Sequence, residues 1–92
     1  MDEVAAGVFV VTLEAVENGA AAPRTILAFV VASSARDAEA TARREAARDG
    51  FTGPNVLRTA EVVDAAAVPD DFRPAMASAR RYGSWLIVYE DP

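Results

Sequence analysis

Apolar and polar positions first alternate with a period of two. From Val8 to Glu17 the chain reads VFVVTLEAVE. Phe9, Val11, Leu13 and Ala15 share one parity and make a fully apolar face. Val8, Val10, Thr12, Glu14 and Val16 make a mixed face, so the run predicts a strand. Residues 1–3 are expected to fray. Asn18–Gly19 opens a turn, but Pro23 delays the next strand, which predicts a hairpin loop from Asn18 to Arg24. From Thr25 to Ala32 the run TILAFVVA is apolar at both parities. That is the mark of an interior strand covered on both sides, with Ile26, Leu27, Phe29, Val30 and Val31 in the core.

The period then changes. The stretch SSARDAEATARREAARDG, Ser33 to Gly50, repeats small apolar residues at helical spacing. Ala35, Ala38, Ala42 and Ala46 fall on one face; Arg36, Ala40, Arg43, Arg44, Ala47 and Arg48 fall on the other. Ser34 is the natural N-cap, and Asp37 and Glu39 put negative charge at the positive end of the helix dipole. Glu39 and Arg43 stand four apart in the favourable order. Gly50 suits a left-handed stop, with Phe51 reaching back to Ala46. An all-alanine face lets the helix approach a sheet closely but buries little area per side chain, so the strands must supply most of the core.

Beyond the helix, FTGPN reads as turn punctuation because Pro54 disfavours helix at Gly53. Val56 to Asp64 is a weaker strand with polar residues on both faces, as expected at a sheet edge. AAAVP reads as a linker, although its alanines could begin a helical turn. A second helix follows, with Asp71 preferred over Asp70 as N-cap because Pro74 then falls at N3, where a missing N–H does no harm. Its apolar stripe is Phe72, Ala75, Met76, Ala79 and Tyr82, with Arg80 and Arg81 in the last turn and Gly83 as the stop. The last strand is Ser84 to Glu90, with Trp85, Ile87 and Tyr89 facing one way and Leu86 and Val88 the other.

The resulting order is ββαβαβ in a single domain spanning 1–92. It predicts an α+β, ferredoxin-like sandwich: a four-stranded mixed sheet with two helices on one face, placed there by right-handed crossovers. The opposite face would be partly open. No motif names a family.

Composition sharpens this expectation. The chain is 52% hydrophobic, with a mean hydropathy of +0.12. A domain of this size buries only about 60–65% of its unfolded surface. Self-association or a protein partner is the simplest way to cover the remainder. The net charge of −5 disfavours direct binding to nucleic acid. No apolar run approaches the roughly 20 residues of a membrane span, and MDEVAAG lacks a signal peptide's basic start, so a cytoplasmic protein is expected.

The chain has no Cys and no His, and all nine of its basic residues are Arg. Thiolate chemistry, Schiff bases, imidazole catalysis and the common triads therefore cannot be assembled from this chain. No cofactor or metal site is expected, and GFTGPN is neither a dinucleotide nor a phosphate-binding loop.

Arg36, Arg43, Arg44 and Arg48 are interleaved with acids and read as a solvated helix face. Asp70 and Asp71 read as a cap and a first-turn charge rather than an acid–base pair. Glu90–Asp91 reads as a solvating terminus. Tyr82, Trp85, Ile87 and Tyr89 are the candidate interface residues, because aromatic anchors dominate binding hot spots. The expectation is a non-enzymatic protein–protein interaction module, of adaptor or inhibitor type, that uses the open sheet face toward another protein or a second copy of itself. The alternative is a small dimeric ferredoxin-like enzyme or ligand-binding domain. Its pocket would lie between sheet and helices, with Tyr82, Tyr89, Arg58 or Asp71 as polar groups.

Overall fold

The two apolar runs before the helix form the centre of a sheet. In the computed structural model, which describes residues 6–19 and 22–89, β1 (Gly7–Glu17) pairs antiparallel with β2 (Pro23–Ala32) from Gly7–Ala32 to Val16–Pro23. Pro23 begins the second strand rather than delaying it to Thr25. The expected frayed residues 1–3 and the Glu90–Asp91 pair lie outside the described residues.

α1 (Ala35–Arg48) forms as the local signals require. The Ser34 hydroxyl accepts the Asp37 N–H at 3.2 Å. At the other end Gly50 adopts a left-handed φ of +96°, and its N–H returns to the Ala47 carbonyl at 3.1 Å. That is half of a Schellman ending, and Phe51 is buried in the same cluster as Ala46. The Gly50 carbonyl in turn accepts the Asn18 N–H at 2.9 Å, which ties the helix stop to the β1–β2 turn.

β3 (Phe51–Glu61) starts directly at this stop, five residues earlier than the sequence suggests, and ends before Val62. FTGPN is therefore strand, not turn. β3 pairs antiparallel with β1, with register shifts between Thr12 and Leu13 and between Glu14 and Val16. The first shift leaves Leu57 as an extra residue, and the second absorbs Gly53 and Pro54. Pro54 is tolerated because β3 lies at the edge of the sheet, where no neighbour needs its N–H.

After β3 come short 3-10 turns at Ala65–Ala67 and Asp70–Phe72, then α2 (Arg73–Tyr82) and β4 (Ser84–Val88). Neither Asp70 nor Asp71 caps α2. The N-cap is Phe72, without a side-chain cap bond, and Asp70 instead pairs with Arg73 at 3.0 Å. The 3-10 turn displaces the helix start by one residue, so Pro74 falls at N2, where a missing N–H still costs nothing. Ala75, Met76 and Ala79 are buried as the stripe predicts, but Tyr82 at its end is 65% exposed.

The strand order is β3-β1-β2-β4, and each neighbouring pair is antiparallel. The expected mixed sheet with both helices on one face does not form. Two buried clusters divide by strand parity. Phe9, Val11, Leu13, Ile26, Ala28 and Val30 pack with Ala38, Ala42 and Ala46 of α1. Val8 and Phe29, with half-buried Val10, Leu27, Val31 and Ile87, pack with Ala75, Met76 and Ala79 of α2. The helices therefore lie on opposite faces.

The reason is topological. β2 and β3 run parallel with β1 between them, so α1 is a crossover of the kind that handedness constrains. β3 and β4 run antiparallel at opposite edges, so the rule does not govern α2. The apolar parity of Leu27, Phe29 and Val31 requires a second covering layer, and α2 supplies it.

Candidate functional site

α2 covers only part of the second face. It packs along β2 and β4, over Val8, Phe29 and Ile87. The β1–β3 side of that face is bridged instead by the segment that links β3 to α2. The Val62 N–H still reaches the Val8 carbonyl at 2.8 Å, and then the chain leaves the sheet. Asp64 stabilises the departure, its side chain accepting the Ala66 N–H at 3.0 Å and its carbonyl the Ala67 N–H at 3.1 Å, a local Asx-type turn. A second tight turn follows, where the Phe72 N–H donates to the Pro69 carbonyl at 2.9 Å. This turn sets the Phe72 ring 5.9 Å from Phe29, tilted by 45°.

The linking segment stands off the sheet and encloses a half-open cleft of about 450 Å³. Val10, Leu27 and Phe29 form its floor; Val62, Val68 and Phe72 form its wall. Ala60 lies opposite Val10 in the β1–β3 ladder and leaves the outer side open, since its methyl fills little space. Arg58 and Asp64 line the cleft as its charged groups, whereas Glu61, opposite Phe9, carries its carboxylate on the α1 face beside Gly7. Such a site gains affinity from apolar burial and orientation from its few charges.

The sequence-derived candidates separate into two places. Arg58 is at the cleft. Tyr82, Tyr89 and Asp71 are not among its lining residues. Trp85 and Ile87 of β4 lie opposite Phe29 and Leu27 of β2, on the α2 face, as their alternation predicts. Tyr82 stacks on Trp85 with ring centroids 6.2 Å apart, and the Arg81 guanidinium lies 5.5 Å from the Tyr82 ring centre. This aromatic group sits at the sheet edge, away from the cleft mouth, with Trp85 44% and Tyr89 39% exposed.

On the other face α1 is tied to both edge strands. Thr59 of β3 donates its hydroxyl to Glu39 at 2.7 Å, and Ser84 donates to Glu45 at 3.4 Å. Glu39, expected to pair with Arg43, is thus tied to the sheet edge. Arg36, Arg43, Arg44 and Arg48 are exposed. Arg44 contacts Thr41, and Arg48 lies 3.6 Å from Glu45, the arrangement of a solvated helix surface. Among the described residues no three acidic side chains converge as metal ligands, and no helix is long and apolar enough to cross a membrane.

The cleft wall is what sequence reasoning missed. Val68 and Phe72 stand four apart around Pro69–Asp71, a spacing that puts both side chains on one side of a helical turn, but AAAVP reads as a linker. Comparison with protein-family models, curated proteins and solved structures finds no match for this chain.

Proposed function

We propose that the chain is a non-enzymatic binding module of adaptor or inhibitor type, and that it receives an apolar anchor of another protein in the cleft on the α2 face of its sheet. The cleft carries the proposal: about 450 Å³ with a floor and wall of Val, Leu and Phe side chains. Interfaces concentrate affinity where one aliphatic or aromatic anchor fills such a depression and a polar rim excludes water. Arg58 and Asp64 supply the rim, and the mixture of signs selects for a complementary polar flank on the partner.

A second reading has an observation in its favour. The cleft volume falls within the roughly 300–1,000 Å³ of small-molecule sites, so a small apolar ligand, held in a binding or catalytic domain, is the alternative occupant.

Substituting Ala60→Trp separates these readings from a purely structural cleft. Ala60 is exposed, so an indole there fills the cleft without displacing the core. Wild-type and A60W proteins serve as paired baits in the native host, with the captured proteins quantified by mass spectrometry. A protein partner enriched at least tenfold by the wild type over A60W supports the module. A small-molecule mass adduct carried by the wild type alone supports the alternative. Equal capture by both baits, with no adduct, removes the cleft from function.

A further inference from the structure

The two edges of the sheet are built differently. β3 is blunted: two register shifts bend it, Pro54 removes a donor, and Arg58 and Glu61 bring charge to its last turn of ladder. Each of these devices discourages pairing with another strand. β4 has none of them. Its register against β2 is unbroken from Ile26–Val88 to Val30–Ser84, and the stretch GSWLIVY, Gly83 to Tyr89, contains no charge and no proline.

The hydrogen bonds to β2 fix which backbone groups face outward. The Val31 N–H donates to the Gly83 carbonyl and the Tyr89 N–H to the Thr25 carbonyl, each at 2.9 Å. In an antiparallel ladder the bonded pairs recur at every second residue. Gly83, Trp85, Ile87 and Tyr89 therefore aim their backbone groups at β2. Ser84, Leu86 and Val88 aim theirs away from the sheet.

We infer that a second copy of this chain pairs along that edge, β4 against β4, antiparallel about a two-fold axis at Leu86. In this register Leu86 exchanges both backbone hydrogen bonds with Leu86 of the second copy, and Ser84 does so with Val88. The odd residues on the α2 face then meet as Trp85 against Ile87 and Ile87 against Trp85, an aromatic–aliphatic pairing that stabilises antiparallel sheets. Tyr89 is brought opposite Gly83, beside the Tyr82–Trp85 stack.

Self-complementarity favours a second copy over an unrelated strand, because an axis at Leu86 engages all three outward-facing residues, Ser84, Leu86 and Val88, and sets exposed Trp85 against half-buried Ile87. Each copy carries −5; β4 itself adds no charge to the contact, and among the described residues Glu45 and Asp49 of α1 are the acids beside it. An edge of five residues buries on the order of 1,000 Å² in total, at the lower limit for a specific interface, so a micromolar, concentration-dependent dimer is expected. The edge is distinct from the cleft, and the inference does not depend on the cleft's occupant.

Light scattering and cross-linking test it. The wild type is expected to rise with concentration from 9.7 kDa toward twice that mass. Val88→Pro removes an outward N–H and leaves the ladder to β2 intact. Val88→Glu introduces a charge opposite Ser84 of the second copy, near that copy's Glu45. Both variants are expected to remain monomeric at least tenfold above the wild-type midpoint, and V88E decides the matter if V88P does not fold. Because the chain has no cysteine, single substitutions report register: oxidised L86C forms a disulfide dimer across the axis, whereas I87C faces Trp85 and does not. A wild type that stays at 9.7 kDa up to millimolar concentration overturns the inference. So does a dimer unaffected by V88P and V88E, or cross-linking of I87C as fast as L86C.

Discussion

Replacing Ala42 by leucine tests the packing that holds α1 to the sheet. Ala38, Ala42 and Ala46 are each 0% exposed, and they lie against Val11, Leu13, Ile26, Ala28 and Val30 in one cluster. The alanine stripe sets the distance between helix and strands, so there is no room for three further carbons beneath Ala42. Leucine must either leave its preferred rotamer or push α1 outward. Overpacking of this kind costs about 1–3 kcal/mol. A shift outward would also stretch the Thr59–Glu39 hydrogen bond of 2.7 Å, which places the expected cost near 2 kcal/mol. In a domain of this size each kcal/mol lowers Tm by about 4–8 °C, so a fall of about 8–16 °C is expected.

Thermal unfolding followed by far-UV circular dichroism measures the effect, with Ala40→Leu as control. Ala40 is exposed on the same helix, and alanine and leucine have similar helix propensities, so A40L should stay within about 0.5 kcal/mol of the wild type. If A42L melts at the same temperature as A40L, α1 does not seal this face and the reasoning fails.

Two further substitutions probe local ties. Ser34→Ala removes the acceptor of the Asp37 N–H and is expected to cost about 1 kcal/mol by urea unfolding, while Ser34→Asp should restore most of it. Thr59→Val keeps the β-branched shape but loses the hydroxyl bound to Glu39. It is expected to cost about 1–2 kcal/mol by the same assay, with Thr59→Ser close to wild type.

Features set by a few neighbouring residues were legible in the sequence. Ser34, the face of Ala38, Ala42 and Ala46, and Gly50 each act within one turn of α1, whereas Ala35, expected on the same face, is exposed. The parities of Phe9 to Ala15 and of Trp85 to Tyr89 likewise follow from strand geometry alone. Gly53–Pro54 was misleading because the same residues that make a turn are accepted in an edge strand, where a bulge absorbs one and a missing partner excuses the other. The edge position follows from long-range pairing, which local pattern does not contain.

The side of the sheet that α2 occupies was hidden for a related reason. Handedness binds only parallel crossovers, and β3 and β4 turn out antiparallel. The double-sided apolar pattern of Leu27, Phe29 and Val31 was the available signal for a second layer. The cleft depends on how far the 62–72 segment stands off the sheet. Two short 3-10 turns set that distance, and a run of alanines does not announce them. Of the residues named for function, Arg58 reached the cleft, whereas Tyr82 and Trp85 formed a stacked pair at the other end of the sheet.

The proposal that binding occurs in the cleft on the α2 face, and not on the alanine-packed α1 face, is tested most directly by a titration that needs no knowledge of the natural partner. Protein with labelled methyl groups is titrated with the small apolar anion 8-anilinonaphthalene-1-sulfonate and followed by NMR. Saturable binding that shifts Val10, Leu27, Val62 and Val68 and leaves Val11, Leu13, Ile26 and Val30 unmoved is the predicted result. Absence of saturable binding, or shifts concentrated on the residues beneath α1, would contradict it.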